Sequence, residues 1–175
     1  TGTNNFVSET ILSSRLSECF GFVQCEVNQI LADAGIEGKA EMMKKWYDGY
    51  HFGSVDVYCP WDVMCYVQKL MTDSNAQPDN FWKNTSDNAV IRSFIDYAGA
   101  SITKKFETLM DGGYIVQKVD ENLTYDYLHS SEENLWSMLY LTGYLTRLRD
   151  DEIGEALPED TVALKIPNRE IQELF

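Results

Sequence analysis

Apolar residues recur at helical spacing along most of this chain. Val27, Ile30, Leu31 and Ala34 share one face of residues 24–34, and Gly35 stops that helix. Residues 38–48 repeat the pattern, with Met43, Trp46 and Tyr47 inward and Gly49 at the end. Pro60 suits the first position of a helix. That helix runs to about Asp73, with Val63, Met64, Val67, Leu70 and Met71 as its apolar positions. Asp79 to Lys83 reads as one helical turn. Ser86 or Asp87 opens a helix to Ala98 that carries Val90, Ile91, Phe94 and Ile95, with Gly99 as its stop. Ser101 caps the next, with Ile102, Phe106, Leu109 and Met110 inward and Gly112-Gly113 after it. Ser131 caps a helix through Trp136, Leu139 and Tyr140. Residues 8–20 are ambiguous: Ile11, Leu12, Leu16 and Phe20 have helical spacing, but Ser13, Ser14 and Ser17 weaken it.

Strand signals are fewer. Val55 to Tyr58 alternates, and Tyr50-His51-Phe52-Gly53 before it reads as a turn. Tyr114 to Val119 reads as a strand. Tyr144 to Arg149 and Thr161 to Ile166 read as two more, flanking an acidic loop. The second alternates cleanly, with Val162, Leu164 and Ile166 on one face and Thr161, Ala163 and Lys165 on the other. The expected fold class is mainly α with a small β component. A helical region over residues 1–112 precedes a winged-helix-like region over residues 113–175. The last stretch, from Pro167 to Phe175, starts an amphipathic helix and stops after about two turns, a length that is marginal alone in water. With no initiator Met, the chain is expected to be a piece of a longer protein, truncated within its winged region.

Length and charge narrow the classes. The chain has 175 residues, 44% hydrophobic and 13% aromatic, enough to bury a core without staples. No apolar run approaches the ~20 residues of a membrane span, so no membrane partner is expected. Net charge is −14, from 14 Lys and Arg against 28 Asp and Glu. That balance argues against a broad phosphate-binding face. Lys104-Lys105 and Arg147-x-Arg149 are local basic pairs, too few for a nucleic-acid footprint. The segment from Asp150 to Asp160 holds six acids and no base, and reads as a solvated loop. Cys19, Cys25, Cys59 and Cys65 form two C-x5-C pairs, which is not a usual zinc spacing. They are expected to be reduced structural residues in a cytoplasmic protein. His51 and His129 are the only histidines, and neither is assigned chemistry as a metal ligand.

The sharpest motif is Trp46-Tyr47-Asp48-Gly49-Tyr50-His51-Phe52-Gly53, followed by Val57-Tyr58-Cys59-Pro60-Trp61-Asp62-Val63. Phe81-Trp82-Lys83-Asn84-Thr85-Ser86, Tyr140-Leu141-Thr142-Gly143-Tyr144 and Ile166-Pro167-Asn168-Arg169-Glu170 come later. From about Phe20 to Phe175 this ordered set resembles the AAA-ATPase-like family of bacterial proteins. Members carry an N-terminal P-loop ATPase core and often a PD-(D/E)xK nuclease-like domain behind it. The resemblance implies that this chain is the part after the core: a lid-like helical bundle, then the winged unit. It implies ATP and magnesium for the parent, and the missing core and C-terminal domain as partners. The chain itself is expected to hold no cofactor and to catalyse nothing. Its only Gly-Lys is Gly38-Lys39, with Ala40 where a phosphate loop needs Ser or Thr. The alternative is a protein- or nucleic-acid-binding module acting through the winged region.

The motif residues have two readings. Asp48, Tyr50 and His51 could face nucleotide or the core. Alternatively Trp46, Tyr50, Phe52, Tyr58 and Trp61 pin a helix–turn–strand–helix corner, with Gly49 and Gly53 supplying unusual backbone angles. The second reading is preferred. Trp82, Asn84 and Thr85 fit a turn or cap. Pro60 and the run Pro167, Asn168, Arg169 and Glu170 are family positions of structural type. Two positions depart from the family pattern: Val23 stands where Thr is usual, and Cys59 where Asn is usual. Each removes a strong helix N-cap.

Overall fold

The computed structural model describes residues 15–84, 99–120, 123, 131–154 and 156–175. Its class is mainly α with two small antiparallel sheets. A 3-10 turn at Ser17–Cys19 leads to α1 (Gln24–Asp33), a second 3-10 turn (Glu37–Lys39) and α2 (Ala40–Tyr47). A hairpin follows, β1 (Tyr50–Phe52) and β2 (Val55–Val57), then α3 (Pro60–Thr72) and a 3-10 turn at Trp82–Asn84. The rest is α4 (Ala100–Met110), β3 (Ile115–Gln117), α5 (Glu132–Leu141), β4 (Thr146–Arg147), β5 (Val162–Lys165) and α6 (Arg169–Gln172).

The helix limits follow local chemistry. Gly35 at φ 68° and Gly49 at φ 111° stand just after α1 and α2, where only glycine takes a left-handed turn without strain. Ser131 caps α5 by accepting the Asn134 N–H at 3.2 Å, and Asn168 caps α6 by accepting that of Ile171 at 3.0 Å. Val23 and Cys59 occupy the N-cap positions of α1 and α3 with no side-chain cap bond. At α1 half of a capping box remains, the Val23 N–H donating to Glu26 at 2.9 Å.

Four sequence expectations are corrected. Tyr50-His51-Phe52 is a strand, with Tyr50 opposite Val57 and Phe52 opposite Val55; only Gly53 and Ser54 turn. Gly99, not Ser101, is the N-cap of α4, which begins one residue later. On α3 the buried positions are Asp62, Val63, Tyr66, Val67 and Leu70. Met64, Met71 and Trp61 lie on the opposite face, 49%, 72% and 58% exposed, so Trp61 pins no corner. The alternation expected of β5 stands: Ala163 and Leu164 point to opposite faces and are both fully buried, on a strand that is central in the order β3-β5-β4. The expected helix from 86 to 98, Thr85, His129 and residues 8–14 lie outside the described residues.

Two apolar clusters hold the chain. One packs α1, α2 and α3 through Val27, Leu31, Met43, Tyr47, Val63, Tyr66 and Leu70. The other joins Tyr50 and Val57 of the hairpin to Leu109, Ile115, Trp136, Leu139, Leu145, Leu164 and Ile171. Full burial of a side chain of this size contributes about 1.5–3 kcal/mol. The hairpin is also tied to the C-terminal sheet, the His51 N–H donating to Thr146 Oγ1 at 2.8 Å.

Candidate functional site

The motif residues converge on two places, one buried and one open. The buried place is a carboxyl pair. Asp62 sits in the first turn of α3 and Glu170 in the first turn of α6, 1% and 0% exposed. Glu170 Oε1 accepts the N–H groups of Phe81 at 2.6 Å and Trp82 at 3.1 Å. The other carboxyl oxygens are buried where Asp62 faces Glu170, the Cys59 thiol and the Trp82 indole. Adjacent buried carboxylates cannot both ionise. Burial first, and the Asp62 charge second, push Glu170 up to about 8. Burial likewise raises Asp62 and pushes the Cys59 thiol up to about 12. At neutral pH Glu170 is therefore the carboxyl of the pair that holds a proton. The Tyr50 hydroxyl is buried nearby without a hydrogen-bond partner among the described residues, and desolvation raises it well above its ordinary value.

This pair clasps three segments that are far apart in sequence. Asn80 adds to it, donating to the Glu170 backbone oxygen at 2.8 Å while its own Oδ1 accepts the Lys83 N–H. Tyr47 closes the other side, its hydroxyl donating to the Asp79 carbonyl and accepting the Asp79 N–H, both at 3.0 Å. Gly49 is required in the same corner. A Cβ there would collide with the Pro167 carbonyl oxygen, so the turn after α2 and the strand end before α6 touch backbone to backbone.

The open place is a charged pocket of about 220 Å3 between the hairpin and the C-terminal sheet, lined by Lys44, Asp48, His51, Asp56, Arg149 and Lys165 among others. His51 Nδ1 lies 2.7 Å from Asp56 Oδ1, and Arg149 donates to Asp56 at 3.1 Å. Lys165 reaches both oxygens of Glu152 at 3.0 Å. Asp48 is raised chiefly by burial. The pocket holds a histidine oriented by a carboxylate, but among the described residues no Ser, Thr or Cys side chain lines it. Its visible role is an ion-pair bridge from the hairpin to the sheet. Such partly exposed pairs contribute about 0–1 kcal/mol each.

The predicted site residues thus separate. Tyr50, Tyr58 and Trp82 pack in or against the cores, with Trp46 and Phe52 partly buried beside them. Asp48 and His51 line the charged pocket, and Tyr50, sharing their motif, points inward instead. Arg169 is exposed and pairs with Glu173 at 3.1 Å. Asp62 is not among the site residues expected from sequence, although it stands inside one of the quoted motifs. Among the described residues no group of three or more His, Cys, Asp or Glu is placed to hold a metal ion. All four cysteines are free, and Cys19 and Cys25 are exposed, not the small buried residues expected. No described helix is long and apolar enough to cross a membrane. No family model, curated protein or solved structure matches the chain.

Proposed function

We propose that this chain is the non-catalytic lid and winged-helix-like part of an AAA-type ATPase-like protein, packing on the ATPase core and moving with its nucleotide state. The observation that carries the reading is the C-terminal topology. A helix, α4, leads into β3; α5 follows; then β4 and β5 form a hairpin around the acidic loop, with the first strand beside the last in the order β3-β5-β4. A winged helix uses the same strand order, which supports the reading. Part of the motif set on which the family resemblance rests, namely Gly49, Trp82 and Glu170, also meets in one corner, around Asp62.

Nucleotide chemistry belongs to the parent in this reading. A phosphate loop needs a strand feeding a glycine-rich turn into a helix. Gly38 and Lys39 lie in a 3-10 turn between two helices, α1 and α2, so these residues do not fit an ATP site. ATP and magnesium would be held by the core. Titration calorimetry of the isolated chain should show no saturable ATP binding, while the upstream core, added as a separate protein, should bind the chain differently in its ATP and ADP states. Micromolar ATP affinity of the chain alone, or docking indifferent to nucleotide, would overturn the proposal.

The nucleic-acid alternative is less favoured by the charges. Lys105 pairs with Glu132 at 2.6 Å, Arg147 with Asp150 at 2.8 Å, and Arg149 with Asp56 at 3.1 Å. Of the two basic pairs, only Lys104 remains without an ion pair among the described residues.

A further inference from the structure

An apolar groove runs beside the first turn of α3; it shares Tyr50, Cys59 and Trp82 with the surroundings of the buried carboxyl pair but includes neither carboxyl, and it shares no residue with the charged pocket. Its inner part, about 240 Å3, lies between Phe20, Phe52, Trp82 and Leu141. Gly143 stands at φ 84° in its wall, where a Cβ would touch Trp82 Cη2 at 3.4 Å. The outer part, about 500 Å3, continues past Phe20 and Pro60, which line both, to Glu18 and Glu26. Among the described residues no Lys or Arg lines either part. Phe20 and Leu141 are 43% and 37% exposed at the rim.

Size and charge together select the occupant. The inner part is smaller than the ~300–1,000 Å3 typical of pockets that enclose a whole small ligand. It suits a single bulky side chain, the usual anchor of a peptide in a groove. The outer part offers carboxylates alone, on a chain of net charge −14, and so attracts cations. We infer that this groove docks a protein segment that buries one large aromatic or aliphatic side chain between Phe20, Trp82 and Leu141 and sets Lys or Arg beside Glu18 and Glu26. The docking stands apart from the ATPase reading, since it needs only the groove and its charge.

Fluorescence polarisation on the whole chain tests it, with three labelled peptides as probes: a lysine-rich amphipathic peptide with one Trp, the same peptide with Ala for Trp, and the same with Glu for every Lys. The first should bind saturably, and more weakly as salt rises. The Ala peptide, and the first peptide on Leu141→Lys, should each lose at least about tenfold in affinity. Glu18→Lys should weaken binding several-fold without touching the apolar part. Met71→Lys, the same kind of change at a more exposed apolar residue near the far end of α3, should leave it unchanged. Circular dichroism confirms that each variant is folded. Absence of saturable binding by the first peptide, equal binding by the Glu peptide, or equal loss from Met71→Lys would overturn the inference. Self-association abolished by Leu141→Lys would assign the groove to a second copy of the chain instead, and overturn it too.

Discussion

Glu170→Gln is the substitution that isolates the buried carboxyl pair. In the folded chain Glu170 holds its proton up to about pH 8, whereas the unfolded chain releases it near 4.5. Below pH 4.5 Glu170 is protonated in both states and leaves stability untouched. Between 4.5 and 8 the unfolded state binds one proton fewer, so stability falls as pH rises. At ~1.4 kcal/mol per pH unit, the whole interval amounts to about 5 kcal/mol. That is a large share of the ~5–15 kcal/mol that holds a domain of this size. Asp62, also raised, adds to the same slope from lower pH. Asp48 does as well, through its own burial. Asp79, Glu132 and Glu152 are lowered, mainly through hydrogen bonds to lysine. Their stabilisation is lost only as pH falls through the acid range, outside this window.

A glutamine at 170 keeps an oxygen for the Phe81 and Trp82 N–H groups and offers Asp62 an N–H in place of the shared proton. Urea denaturation from pH 5 to pH 8.5 should show the wild-type midpoint dropping steadily while that of Glu170→Gln stays nearly flat. The small remaining slope should be that of Asp62 and Asp48. By pH 8 the variant should be the more stable protein, and at pH 5 the less stable or equal one. Parallel profiles for the two proteins would refute the shared proton, and with it the reading of this corner as a coupled pair.

Gly49→Ala should destabilise by at least about 2 kcal/mol, since the new Cβ meets the Pro167 carbonyl and the backbone sits at φ 111°; an unchanged thermal midpoint would contradict that contact. Cys59→Asn should stabilise by roughly 0.5–1 kcal/mol. Residue 59 occupies the cap position, its sulfur faces the Trp61 and Asp62 N–H groups, and an Asn side chain can both accept there and donate to Asp62. Val23→Thr should gain less, because Val23 already packs against the second cluster; chemical denaturation of both variants decides. Duplex DNA should bind weakly at physiological salt, and a submicromolar, salt-dependent gel shift would reverse that expectation.

Helix positions are legible in the sequence because their signals are local. Gly35, Gly49, Pro60, Ser131 and Asn168 act within a turn of where they stand, and the structure places a helix end at each. The first hairpin strand is not legible. Tyr50-His51-Phe52 is short and ends at a glycine, and what holds it extended is Val55–Val57 across a two-residue turn and Thr146 much further on. Met64 and Met71 mislead for a related reason. Counting apolar residues at helical spacing gives α3 a face through them; Val63, Val67 and Leu70 of that face are buried, but the helix is rotated so that Asp62 and Tyr66 complete the inward face in place of the two methionines. Asp and Glu are almost never fully buried unless paired, so neither Asp62 nor Glu170 alone reads as a core residue. Each becomes one only when the other arrives, from a distant part of the chain. The pair weakens the fold above pH 4.5, which makes it a poor device for stability alone. Its physical merit is selectivity: a buried acid that finds a proton-sharing partner only when α3, the Phe81-Trp82 turn and α6 all meet penalises any arrangement in which one of them docks out of place.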